Sequence, residues 1–413
     1  MTNSLLQDIF RAKVAKLGLD MRDEAKPDIL YPTGFLNFDY MNGYVAKERV
    51  SANADMSEFY NLGITDGSYV CLVANSGTGK STFAEQIAAN IVRRFPTSTI
   101  FVEMTETTGM TETRRLSLSE FTPEEYKVRY NIRNKGINAE NIYKRIKMIH
   151  DVKVKERPND FLYDTGRKDM YGEPILKFEP TVYIIDSIAA LMPENMAEEE
   201  ELAGKSYGAQ SAAVIAQLFT AMLQPIKEAN IIVIGINHFA QDINMSIFPK
   251  KPDVPWLKQG ERIPKGKKVT LLANNIIRLD NVSKLKMDEG YKIEGSIVDV
   301  SLVKSRTSGN KRGTRLVYDF ANGFDPWLSL LEFMKYNKHI YGAGVSLSFD
   351  PDRNYKFSMG NFKQKINSDP EFRKAFLNYT IPYLKQIPIE VDESAENMHM
   401  EDILNDSNLY TVS

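Results

Sequence analysis

The chain has 413 residues with 52 Lys and Arg against 54 Asp and Glu, a formal net charge of −2, so it has no global basic field for nucleic acid and any polyanion site has to be local. A single cysteine, Cys71, excludes an intrachain disulfide and most cysteine-based metal sites and fits a reducing cytoplasm, and the 4 histidines include no close pair for a metal. No stretch is long and apolar enough to span a bilayer and the N-terminus lacks a signal-peptide core, so no membrane partner and a cytoplasmic location are expected.

Residues 4–18 place Leu5, Leu6, Ile9, Phe10, Val14 and Leu17 on one helical face. Such a helix either folds back on its own domain or packs on a neighbouring protomer. A turn and short helix follow at residues 31–40, and residues 43–66 read as an irregular insertion. The apolar run 69–73 predicts a strand, and residues 82–91 have helical spacing. Between them lie Ala74, Asn75, Ser76, Gly77, Thr78, Gly79, Lys80 and Ser81. Strand, glycine-rich loop and helix are the context of a phosphate-binding P-loop. Backbone N–H groups and the helix N-terminus make an anion site, which extends to Thr82. Lys80 would reach the outer phosphates of ATP, and Ser81 would hold Mg²⁺.

A second buried strand is predicted at 98–103, leading into Met104–Gly109. Residues 123–149 read as charged and mostly helical with a break near Gly136, and residues 150–180 as a protruding polar insertion with a small hairpin around 170–173. An apolar strand at 181–187 ends in Asp186, an acidic patch covers 194–201, and a helix covers 206–223. The strand at 230–238 ends in Asn237-His238, and a long loop runs over 239–268. Further strands are expected at 275–279, 296–304 and 314–320. Strands alternating with helices and apolar on both faces predict an α/β core with a mostly parallel sheet. Helices at 328–336 and 361–377 suggest a small C-terminal α+β domain, and residues 390–413, with seven acids and no Lys or Arg, an acidic tail predicted to be disordered.

Asp186, at a strand end downstream of the loop, suits the second Mg²⁺ position. Hydrolysis also needs a carboxylate to orient or deprotonate water, and the strand next to the loop strand offers both Glu103 and Glu106. His238 can sense a γ-phosphate and pass its presence into the following loop. That loop carries Lys250, Lys251, Lys258, Arg262, Lys265, Lys267 and Lys268, interleaved with Phe239, Phe248 and Trp256. Local cations with aromatics suit single-stranded nucleic acid, the charges tracking phosphates and the rings stacking on bases. Lys304 and Arg306 end another strand and could reach a phosphate across a subunit boundary.

In this order, the segments resemble the RecA family of strand-exchange recombinases, most closely the UvsX-like recombinases of bacteriophages. The resemblance runs from about Thr33 to Tyr379. It rests on Thr33-Gly34-Phe35-Leu36-Asn37-Phe38-Asp39, on Ile185-Asp186-Ser187-Ile188-Ala189-Ala190-Leu191 as a Walker B segment, on Ile236-Asn237-His238, on Val303-Lys304-Ser305-Arg306-Thr307, and on Phe320 to Leu331. The resemblance implies a RecA-like P-loop ATPase core at 31–326, preceded by an N-terminal helical arm at 1–30 and followed by a small α+β domain at 327–389 and the tail at 390–413. It implies helical filaments on single-stranded DNA, pairing with homologous duplex, and ATP sandwiched between protomers. It also implies DNA-binding loops at 193–210 and 239–270, and single-strand-binding and mediator proteins as further partners. Within it Glu106, Lys80 and His238 form the catalytic group, and Lys304 and Arg306 act in trans. The family's adenine-stacking aromatic has no counterpart near Thr111–Arg115. A ring-forming DnaB-class helicase is the alternative, and its spacing favours Glu103; a nucleotide-gated DNA-binding scaffold with little turnover is another.

Overall fold

The computed structural model describes residues 28–49, 56–106, 109–168, 174–197, 204–241, 252, 254–265, 267–285, 293–307, 312–387 and 389–391. The amphipathic stretch at 4–18, the loop residues Phe248, Lys250 and Lys251, and the acidic tail past residue 391 fall outside the described residues.

The elements that place the site are, in chain order, β1 (Tyr69–Ala74), α1 (Lys80–Val92), β2 (Ile100–Met104), α2 (Glu112–Ser119), β3 (Tyr130–Arg133), α3 (Ala139–Asp151), β4 (Thr181–Asp186), α4 (Gly204–Ala221), β5 (Ile231–His238), β6 (Asn275–Lys284), β7 (Gly295–Ser305), β8 (Arg312–Asp319), β9 (Gly323–Asp325) and α5 (Pro326–Tyr336). The strands form one nine-stranded sheet in the order β9-β8-β7-β6-β1-β5-β4-β2-β3. Pairing is parallel from β3 through β6 and antiparallel from β6 to β9. The chain is therefore α/β with a mostly parallel sheet, as its strand–helix alternation predicts.

Every position of β1 is buried because both faces of the sheet are covered. Val70 and Leu72 enter one core with Phe83 and Ile87 of α1, whereas Tyr69, Cys71 and Val73 enter the other with Ile215 and Phe219 of α4. Each such buried side chain contributes about 1.5–3 kcal/mol. A third core joins α5 to the helices Phe362–Ser368 and Pro370–Leu384, with Phe349 in ring contact with Phe357, Phe372 and Phe376.

Three expectations need correction. The described part of residues 43–66 is not irregular: Tyr44–Arg49 and Met56–Asn61 pair as antiparallel strands, and Ile389–Val391 pairs in parallel with the first of them. The strand signal is masked by the charges of Lys47, Glu48 and Arg49, and the third strand comes from the far end of the chain. The charged segment 123–149 contains a strand, β3, which is too short to carry a periodicity of its own and forms at the sheet edge against β2. The helix expected at 361–377 is two helices, broken at Asp369. Proline at 370 disfavours helical backbone in the preceding residue, and Asp369 then caps the second helix by accepting from the Phe372 N–H at 3.0 Å. A hairpin does form within 150–180, from Leu162–Lys168 and Pro174–Phe178. It is stapled to the core rather than free, with Tyr163 hydrogen-bonded to Tyr31 at 2.8 Å and Lys177 paired with Asp66 at 2.6 Å.

No described helix is long and apolar enough to cross a membrane.

Candidate functional site

The loop after β1 turns through two left-handed glycines, Gly77 (φ 78°) and Gly79 (φ 85°), a backbone region costly to other L-residues. A side chain at 79 would also collide with the rings of Tyr318 and Phe324, 2.9 Å from where its Cβ would sit, whereas Gly77 faces open space. Ala74, Thr78 and Thr82 are buried, while Asn75 and Ser76 are exposed at the rim. Thr78 fastens the turn by donating to the Asn75 carbonyl at 2.9 Å. The loop delivers the chain to the N-terminus of α1, a 13-residue helix whose first N–H groups point at the loop. Lys80, 5% exposed, folds back to donate to the carbonyls of Ala74 at 3.2 Å and Asn75 at 2.7 Å. Burial pulls its pKa down to about 8, against the pull of Asp186 and Glu106.

Across the loop, β4 ends on Asp186, whose carboxylate accepts from the Ser81 hydroxyl at 2.6 Å. Burial raises the Asp186 pKa, and the Ser81 hydrogen bond opposes that shift. Beside it β2 continues into Thr105, whose N–H donates to the Asp186 carbonyl at 2.8 Å and whose hydroxyl accepts from the Ser187 N–H at 2.7 Å. This double tie presents Glu106: its Oε1 lies 3.0 Å from the Ser187 hydroxyl and 3.3 Å from Nε2 of His238. The two side chains are 49% and 29% exposed. The two candidate acids thus differ in surroundings. Glu103, 1% exposed, is held on both oxygens: Arg145 of α3 donates at 2.7 Å, and the Tyr183 hydroxyl donates at 2.5 Å. Buried and so engaged, Glu103 is closed to solvent, whereas the half-exposed Glu106 is open to it.

Lys80, Ser81, Asp186, Glu106 and His238 therefore gather at the carboxyl ends of adjacent parallel strands, the place where ligands bind in open α/β sheets. A buried lysine, helix N–H groups and a hydroxyl–carboxylate pair make a chemical set for a polyphosphate with a divalent cation. Ser81 and Asp186 already lie within one hydrogen bond of each other, so their oxygens fit such a cation.

Two neighbours escaped sequence reasoning. Arg115, 4% exposed, bridges Glu85 of α1 at 2.6 Å and Sδ of Met104 at 3.1 Å, and its guanidinium also donates to the Met110 carbonyl. It thereby fixes the segment that carries Glu106 to α1. Phe320, 46% exposed, stacks edge-on against Tyr318, and the Tyr318 hydroxyl is 3.4 Å from that of Thr82. Arg114 donates to the Phe320 carbonyl at 3.1 Å. The Thr111–Arg115 segment thus has an exposed aromatic beside it, supplied by the chain just after β8.

Lys304 and Arg306 are not near this site. The register pairs Ser305 with Asn275 and Asn275 with Val70, while Ala74 pairs with Leu279, so these cations sit at the other end of the sheet. The offset along the strands alone is about 10 Å for Lys304 and more for Arg306, beyond the reach of either side chain. Lys304 instead donates to the Ala273 carbonyl at 2.8 Å, and the Arg306 guanidinium to the Leu271 carbonyl at 3.4 Å.

Of the loop candidates, Lys258, Arg262, Lys267 and Lys268 are exposed, whereas Phe239, Trp256 and Lys265 are partly buried. Phe239 and Trp256 pack on the α4 side of the sheet. Lys265 (φ 62°) donates to the Ser211 hydroxyl at 3.1 Å, tying this loop to α4.

No protein-family model matches this chain, and no curated protein matches it.

Proposed function

We propose that the chain is a DNA-dependent ATPase of the RecA type, an ATP-dependent recombinase that coats single-stranded DNA and drives pairing and strand exchange with homologous duplex. One observation carries the reading: the convergence of Lys80, Ser81, Asp186, Glu106 and His238 at the carboxyl ends of parallel strands, with a basic loop leaving the same strand end. Lys80 and the loop N–H groups bind the phosphates. Mg²⁺, held by Ser81 and Asp186, would neutralise phosphate charge. Glu106 orients and deprotonates the attacking water, and His238 contacts the terminal phosphate. Lys304 and Arg306 complete the site of a neighbouring protomer in a filament. The ring-helicase alternative would use Glu103, which Arg145 and Tyr183 occupy. Within this reading the exposed Phe320 ring and Arg114 flank the base.

The test is phosphate release with and without single-stranded DNA, beside strand exchange with ATP and with a non-hydrolysable analogue. Turnover stimulated by DNA and joint molecules are expected; neither activity with either nucleotide would reject the reading.

Lys80 adds a pH signature. Because its pKa in the free protein is about 8, the lysine is charged below that pH and binds phosphate without proton uptake. Above it, binding must first recharge the lysine, so affinity is level just below pH 8 and falls by up to about tenfold per unit towards pH ~10. Calorimetry in buffers of different ionisation heat should show proton uptake near zero at about pH 7 and rising above pH 8. An affinity that stays level to about pH 10 would contradict the role of Lys80.

The exposed cations set the salt dependence of DNA binding. Replacing Arg262 and Lys268 with Ala should reduce the slope of log affinity against log salt by about 1.4, at roughly 0.7 per lost phosphate contact. An unchanged slope would remove these residues from the DNA interface.

A further inference from the structure

We propose that Arg278 is a positioning residue that clamps the neck of the loop following His238, so that the state of the nucleotide site is passed to that loop as one rigid movement. The proposal rests on the nucleotide reading above and adds a residue that no motif in the sequence marks.

Arg278 interrupts an apolar strand. It lies between Ile277 and Leu279 in β6 and is 4% exposed. A cation in such a place is retained only with close partners. Nη1 and Nη2 grip Glu261 in bidentate fashion at 2.7 and 2.8 Å. Nε and Nη2 reach Asp280 at 2.6 and 3.1 Å, and Nη1 donates to the Trp256 carbonyl at 3.1 Å. All five N–H donors of the guanidinium are thereby used. The Phe239 ring covers its face at 4.4 Å. Lys258 pairs with Asp280 at 3.1 Å, so two cations balance two carboxylates and the cluster attracts no anion of its own.

Asp280 lies on the same strand as Arg278, whereas Phe239, Trp256 and Glu261 come from both legs of one loop. Ala240–Gln241 and Glu261–Arg262 form a two-stranded antiparallel neck. Phe239 begins the outgoing leg, one residue after His238; Trp256 and Glu261 belong to the returning leg. The neck also crosses the site. His238 pairs with Ala74 on one side of β1, and Arg278 pairs with Val73 on the other. A shift of His238 towards or away from a terminal phosphate moves Phe239 one peptide later. The guanidinium under that ring cannot follow without releasing Glu261, because a bidentate pair tolerates little displacement. Asp280 ties the guanidinium to β6, so the neck stays until that fork lets go and then moves as a unit, carrying the exposed cation Arg262, next to Glu261.

The chain has 2 tryptophans, so Trp327→Phe leaves Trp256, on the clamp itself, as the sole reporter. In that parent, a non-hydrolysable ATP analogue with Mg²⁺ should shift Trp256 emission. In the same background Arg278→Lys, which keeps the charge but not the fork, and Glu261→Gln should bind the analogue within about threefold of the parent yet lose most of the shift. They should also need about tenfold more oligo-dT to reach half-maximal ATPase stimulation. Circular dichroism checks folding, and Glu261→Gln carries the test if Arg278→Lys does not fold. A full-sized shift in Glu261→Gln overturns the proposal. So does a parent that binds the analogue without any Trp256 shift, which leaves the nucleotide reading standing. A parent that binds no analogue overturns both.

Discussion

Glu106→Gln is expected to lower ATP turnover by about 10²- to 10⁴-fold while leaving nucleotide affinity within a few-fold, because in the proposed mechanism the change removes a general base and no phosphate contact. The side chain is half exposed and its partners, Ser187 and His238, can bond to an amide, so the melting temperature should hardly move. Glu103→Gln should behave in the opposite way. It leaves Arg145, whose side chain is 15% exposed, without its carboxylate partner, and breaking a buried pair from one side costs about 3–5 kcal/mol. Stability then falls, and turnover per folded molecule is retained. Steady-state kinetics paired with denaturant melts separate the two. If Glu103→Gln abolishes turnover at full stability while Glu106→Gln does not, the assignment of the water-activating group is reversed.

The second large effect concerns the cations at the other end of the sheet. Lys304→Ala with Arg306→Ala should reduce turnover by about 10³-fold or more, the size associated with a transition-state cation supplied in trans. Nucleotide binding by the isolated chain should survive, because neither group can reach its own loop. Mixing this double variant with Lys80→Ala protein is decisive. Each variant is inactive alone, yet in a head-to-tail assembly about a quarter of the interfaces join an intact loop to intact cations, and turnover should recover to that fraction. A merely structural role for the pair, through Ala273 and Leu271, gives no such recovery. Failure of the mixture to recover, or full turnover in the double variant, would remove these residues from the site.

The parts of the site legible in the sequence share one property: each is encoded within a few consecutive residues. The glycine-rich loop needs Gly77 and Gly79 for left-handed backbone and Lys80 and Ser81 at the helix start. Asp186 and Asn237-His238 each close an apolar run, and a strand buried on both faces can be recognised by that run alone. The α/β class and the mostly parallel sheet follow from the same local patterns repeated along the chain.

What the sequence left open depends on partners far apart in the chain. Glu103 and Glu106 look alike at a strand end. Only packing shows that Glu103 meets Arg145 and Tyr183 while Glu106 meets Ser187 and His238. The short edge strand β3 and the strand at Tyr44–Arg49 take their conformation from neighbours supplied by other segments, which local propensity cannot report. The clamp on Arg278 and the placement of Phe320 beside Thr82 belong to the same class. Sequence by itself thus determined the glycine-rich loop between strand and helix, the strand-end carboxylate Asp186 and the layered class of the core, because backbone sterics and hydrophobic period act locally. Tertiary structure alone decided which of the two carboxylates is buried and which exposed, that Lys304 and Arg306 lie out of reach of their own loop, and what holds the neck of the basic loop, because those depend on strand order and register.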